Sequence, residues 1–74
     1  MRQYTVVVFE DPEEPGKWLA EFPSVHGAHS WGYSPEEAIQ NAKEALELVL
    51  EVLQEDGQPF PEDIQTQRVE VNAA

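Results

Sequence analysis

Apolar residues recur at three- and four-residue spacing through Ala38, Ile39, Ala42, Leu46, Val49 and Leu53, which places them on one face of an α-helix. The flanking residues mark both ends of that helix. Ser34 stands at an N-cap position, Pro35 at the first helical position and Glu37 three residues after the cap, the spacing of a capping box in which each partner satisfies the other's free amide. Gly57 supplies a left-handed closing residue and Pro59 prevents continuation, so the pattern predicts one long helix over residues 34–57. Its apolar arc is wider than a single core stripe requires: Leu48 and Leu50 fall on opposite flanks. Its polar side carries Glu44, Glu47, Glu51 and Glu55 with Lys43 as the offsetting cation.

Before the helix the period changes from 3.6 to 2. Residues 4–9 are β-branched and aromatic and too few for a free-standing helix, so they read as a strand. Both of its faces are largely apolar, the signature of an interior strand covered on two sides. The breaker cluster from Asp11 to Gly16 reads as a hairpin loop, and Trp18, Ala20 and Phe22 alternate with Leu19 and Glu21 in a return strand stopped by Pro23. A turn over residues 24–27 leads to a third strand, 28–33, running into the helix cap. Beyond the helix, Gln58, Pro59, Phe60 and Pro61 form a stiff connector in which Phe60 can plug the end of the core, residues 62–65 are ambiguous, and 66–71 alternate cleanly as a last strand.

The predicted order is β-β-β-α-β in one α+β domain spanning residues 1–74. Short links make the first three strands a meander, and a right-handed crossover through the helix brings the fourth beside the first, giving a four-stranded mixed sheet of order 3-2-1-4 with one helix on one face. The opposite face is then left open, so Val7, Phe9 and Leu19 on the sheet and Leu48 and Leu50 at the helix margins are expected to form an interface with further copies of the chain, as a homodimer or homotetramer. Size points the same way: 74 residues without a cysteine have neither a large core nor a disulfide framework to rely on.

Fifteen acids against four Lys and Arg give a net charge of −11, which argues against direct nucleic-acid binding and favours a basic protein as partner. No apolar run approaches the roughly 20 residues of a membrane span and no signal-peptide pattern opens the chain, so a cytoplasmic location is expected. His26 and His29 do not have a recurrent metal-ligand spacing, Ser24 and Ser30 lack a surrounding nucleophile motif, and the glycines do not form a phosphate-cradling loop. A carboxylate–metal nuclease would need acids converging from the core strands, and residues 4–9 contain none. The expectation is a non-enzymatic protein with no metal and no cofactor.

Trp18-Leu-Ala-Glu-Phe-Pro23, then Gly27, Ser30 and Gly32, then Ser34-Pro-Glu-Glu-Ala-Ile-Gln-Asn41-Ala42, followed by Gly57-Gln-Pro59 and a terminal strand, closely resemble the HicB-like antitoxin family. Ala28 stands where that family commonly has cysteine, and Tyr33 where it commonly has aspartate. The resemblance, which runs from Tyr4 to about Val71, implies a partial ribonuclease H-like fold without catalytic acids. It further implies the antitoxin half of a toxin–antitoxin pair, which binds and neutralises HicA, a small basic mRNA-cleaving toxin. Many members continue into a DNA-binding domain, and this sequence ends at Ala74 without one. The acids Glu44, Glu47, Glu51 and Glu55 are the expected toxin-facing groups. The competing reading is an orphan homo-oligomeric ligand-binding or structural module with a cleft near His26, His29 and Trp31.

Overall fold

A computed structural model describes residues 2–73. Three short strands, β1 (Val7–Glu10), β2 (Trp18–Glu21) and β3 (His29–Gly32), form an antiparallel meander of order β1-β2-β3, and one helix, α1 (Pro35–Glu55), lies across one face. The architecture is α+β, as the hydrophobic periodicities predict. Val7 pairs with Glu21 and Phe9 with Leu19, while Leu19 pairs with Trp31 and Glu21 with His29.

The helix is fixed by its ends. Ser34 is extended and accepts a hydrogen bond from the Glu37 amide at 3.1 Å. The return half of the box is displaced by one residue, because the Glu37 carboxylate accepts from the amide of Tyr33 at 2.8 Å. At the other end Gly57 has φ +69, Gly57 N donates to Gln54 O and Gln58 N to Leu53 O, the paired bonds of a Schellman motif.

The core between helix and sheet is made of small residues. Ala20, Ala28, Ala38 and Ala42 are buried with Phe22, Val25 and Leu46, and Tyr4, Val6, Val8, Trp18, Ile39, Val49 and Leu50 pack around them. Val25 enters this core from the β2–β3 turn, where Phe22 N donates to Ala28 O and Val25 N to Phe22 O. The low side-chain volume brings the helix backbone close to β3. A Cβ built on Gly32 would lie 2.7 Å from Ala38 N, so only glycine fits at that position.

The expected fourth strand is not formed. Among the described residues the sheet has three strands, so the order 3-2-1-4 reduces to 3-2-1, β2 rather than β1 is central, and residues 58–73 contain no strand. The segment after the helix is tied down instead at Asp63. Its Oδ2 accepts from the Thr5 amide and hydroxyl at 2.9 and 2.7 Å, its Oδ1 accepts from the Ser24 hydroxyl at 2.8 Å, and Ser24 Oγ accepts from Ile64 N. Ser24 follows β2, so these bonds draw the chain across the start of β1 towards the β2 side. Ile64 and Gln65 follow Asp63, and residues 66–71 do not return to the opposite edge of β1. The tail projects instead: the long axis measures 50 Å and the radius of gyration is 14.5 Å, against about 11 Å for a compact chain of this length.

Candidate protein-binding surfaces

The alternation of side chains across the pleat sends Tyr4, Val6 and Val8 towards the helix and leaves Val7 and Phe9 on the far face of β1. The register aligns that far face in rows. Phe9, Leu19 and Trp31 stand side by side across the three strands, with Val7, Glu21 and His29 in the next row. Val7 and Phe9 are 40 % and 42 % exposed, while Leu19 is half-buried between its neighbours. Trp31 meets Tyr33 edge-on at 5.3 Å between ring centroids, and the Lys17 ammonium lies 4.8 Å from the Trp31 centroid. The open face is therefore an aromatic and aliphatic patch with one cation seated on its indole.

The second surface is the outward pole of α1. Glu44, Leu48, Glu51 and Glu55 converge there at 100° per residue. All four acids named from the sequence are exposed, and Leu48 is 64 % exposed among them, with Val52 beside it. Glu47 lies apart, a quarter-turn nearer the sheet. The pole thus presents carboxylates around an apolar centre, the composition expected of a surface that meets a basic protein. Leu50 does not share it: half-buried on the opposite margin, it lines a groove with Tyr4, Val6, Ile39, Leu46 and Phe60. This groove, of about 590 Å³, runs between α1 and the residues leading into β1, with Arg2, Lys43 and Glu47 also on its walls. Phe60 is half-buried in the lining of this groove, and the Arg2 guanidinium lies over it at 5.0 Å from its ring centroid.

The histidine cleft takes a different shape from the one expected. His26 and His29 are exposed and line a shallow recess with Glu21, Phe22 and Pro23, while Trp31 stands apart from it on the open sheet face. Among the described residues no group of three His, Asp or Glu side chains is placed to hold a metal ion. None of the helices is long and apolar enough to cross a membrane among the described residues.

The anchoring residue, Asp63, lies in the segment whose sequence is ambiguous. Its carboxyl is held below the usual aspartate value chiefly by the Thr5 hydroxyl, with Ser24 and the Thr5 and Ile64 amides adding to the effect against partial desolvation. Three of its donors lie 58 or 39 residues away along the chain, so no local motif announces them.

Known proteins resemble this chain in sequence. The family model for the HicB-like antitoxin of bacterial toxin–antitoxin systems matches residues 4–73. A UPF0150 protein of Synechocystis is 42 % identical over 60 residues, covering 81 % of this chain and 76 % of that protein. A UPF0150 protein of Thermotoga maritima is 44 % identical over 48 residues, 65 % of this chain and 63 % of its own length. A third, from Thermoplasma acidophilum, is 31 % identical over 61 residues, 82 % of this chain and 86 % of its own. No solved structure matches the chain.

Proposed function

The chain belongs to the HicB-like antitoxin family, and from that premise we propose that it binds and neutralises a small basic mRNA-cleaving toxin of the HicA type, in the cytoplasm and without catalysis of its own. The observation that carries the reading is the outward pole of α1, where Glu44, Glu51 and Glu55 surround Leu48. An RNA-cleaving protein needs a basic surface to hold its substrate, and an acidic pole with an apolar centre competes for that surface by charge and by burial. The net charge of −11 extends the same field over the whole molecule and speeds encounter with a cation-rich partner. Glu47, nearer the sheet, widens the acidic flank.

Self-association belongs to the same reading. Val7, Phe9 and Leu19 on the open sheet face are apolar surface that another copy can cover, as are the helix-margin residues Leu48 and Leu50, in a homodimer or homotetramer. A fourth strand beside β1 would complete the β-β-β-α-β order of a partial ribonuclease H-like sheet.

The direct test is co-expression with a small basic ribonuclease encoded beside this chain, followed by co-purification and an RNA-cleavage assay. Capture of the ribonuclease and suppression of cleavage are expected. The E44Q/E47Q/E51Q/E55Q variant should associate at least tenfold more slowly while keeping its helix by circular dichroism. Unimpeded RNA cleavage in the presence of excess antitoxin, with no complex at micromolar concentration, would refute the proposal.

A further inference from the structure

Three features away from the outward pole of α1 fit one another. The first is the tail. Residues 66–71 alternate as a strand, yet Val69 and Val71 are 78 % and 80 % exposed and the segment has no strand partner.

The second is the outer edge of β1. Asp11 N donates to Lys17 O across the hairpin, so in an antiparallel ladder the pairs Phe9–Leu19 and Val7–Glu21 exchange the bonds directed towards β2. The backbone groups of Val8 and Glu10 therefore face away from β2, where among the described residues no strand meets them. The other edge of the sheet is different. There Asn41 Nδ2 donates to Trp31 O at 2.9 Å, the Tyr33 amide donates to Glu37 and His29 N donates to Gly27 O, so side chains and a turn already occupy the rim of β3. An unprotected edge strand is a template for pairing with another chain.

The third is the groove between α1 and the residues leading into β1, lined by Tyr4, Val6, Ile39, Leu46, Leu50 and Phe60. Tyr4 and Val6 continue the alternation of β1 towards its start, so a strand added at the outer edge of β1 and carried past Val6 would run beside this groove. Such a strand would place alternate side chains over the groove, and in residues 66–71 the apolar set is Val69 and Val71.

We propose that residues 66–71 of one copy pair with the outer edge of β1 in a second copy, Val69 and Val71 entering that copy's groove, and that the exchange is reciprocal. The tail's own sheet is not its receptor, because Asp63 and Ile64 are held on the β2 side of β1 by Thr5 and Ser24, with Gln65 following before residue 66. The surface area agrees with a second copy as the occupant. The chain exposes 6110 Å², about 1500 Å² more than a compact monomer of its mass, and burial on that scale is what a stable interface requires. The exchange also supplies the missing fourth strand without changing the course of the chain.

The test is sedimentation of the full chain at tens of micromolar, with amide exchange of Val8 and Glu10 followed by NMR. A species of twice the chain mass is expected, with both amides protected. The V69K/V71K variant should sediment as a monomer with the helix intact and lose protection at Val8 and Glu10 by at least tenfold. The gentler V69A/V71A variant should raise the dimer dissociation constant at least tenfold, and it decides the matter if the lysine variant fails to fold. A monomeric full chain overturns the proposal, including one whose Val8 and Glu10 are protected, which would mean that the tail pairs with its own sheet. So does a dimer that survives V69K/V71K, or one in which Val8 and Glu10 exchange freely. No toxin enters the experiment, so its outcome is independent of the antitoxin reading.

Discussion

Gly32 sets how closely the helix can approach the sheet. A methyl group there would meet Ala38 N and Glu37 Cγ at 2.7 Å, and the backbone of the first helical turn cannot move without breaking the cap at Ser34. Gly32→Ala should therefore destabilise the fold by roughly 1–3 kcal/mol, the usual range for overpacking, read as a lower urea midpoint with an unchanged slope. Asp63 governs a different property, the attachment of the tail. Its folded-state pKa is lowered, chiefly by the Thr5 hydroxyl, so its contribution is complete above the ordinary aspartate value and lost as pH falls through the lowered one. An NMR titration of the Thr5 amide should show a midpoint below that ordinary value, and Asp63→Ala should abolish the transition and release residues 61–65 from the start of β1. The two residues also differ in how far the sequence reveals them. The bond from Glu37 N to Ser34 spans three residues and is visible as a spacing, whereas Asp63 bonds Thr5 across 58 and nothing near either residue marks the pair.

At the scale of elements, what could be read was what is decided locally. The helix, predicted over 34–57, runs Pro35–Glu55, and its caps and period come from neighbouring residues. The three-strand meander follows from short links that permit few alternatives. The place of β1 in the sheet could not be read in this way. Two apolar faces suggest a central strand, but β1 is an edge, and Val7 and Phe9 on its far face are exposed rather than covered. Likewise the alternation of residues 66–71 predicts a strand that is not formed among the described residues, since pairing is long-range and the bonds of Asp63 to Thr5 and Ser24 lie outside any local pattern. The cap offers a test at this scale. Ser34→Ala removes the acceptor for Glu37 N while leaving the Glu37 bond to Tyr33 in place. Thermal unfolding of this variant should show a loss of about 1 kcal/mol, with the remaining helix signal unchanged.

For the molecule as a whole, charge acts in opposite directions on stability and on partner binding. With fifteen acids against four bases, the excess negative charge repels itself in the folded chain, and the carboxylates of α1 at positions 47, 51 and 55 repeat every four residues, a like-charge spacing that weakens a helix. Added salt screens that repulsion over a Debye length of about 10 Å at 0.1 M. Raising sodium chloride from about 0.05 to 0.5 M should therefore increase the melting temperature of the free chain, and should favour its self-association, because two chains of charge −11 repel each other less when screened. The same change should slow association with a basic ribonuclease by at least tenfold, since there the long-range field is attractive and screening removes it. Stopped-flow binding and calorimetric melting over one salt series would separate the two effects. A complex whose association rate ignored salt would place the contact on the uncharged row of Phe9, Leu19 and Trp31 and not on the acidic pole of α1.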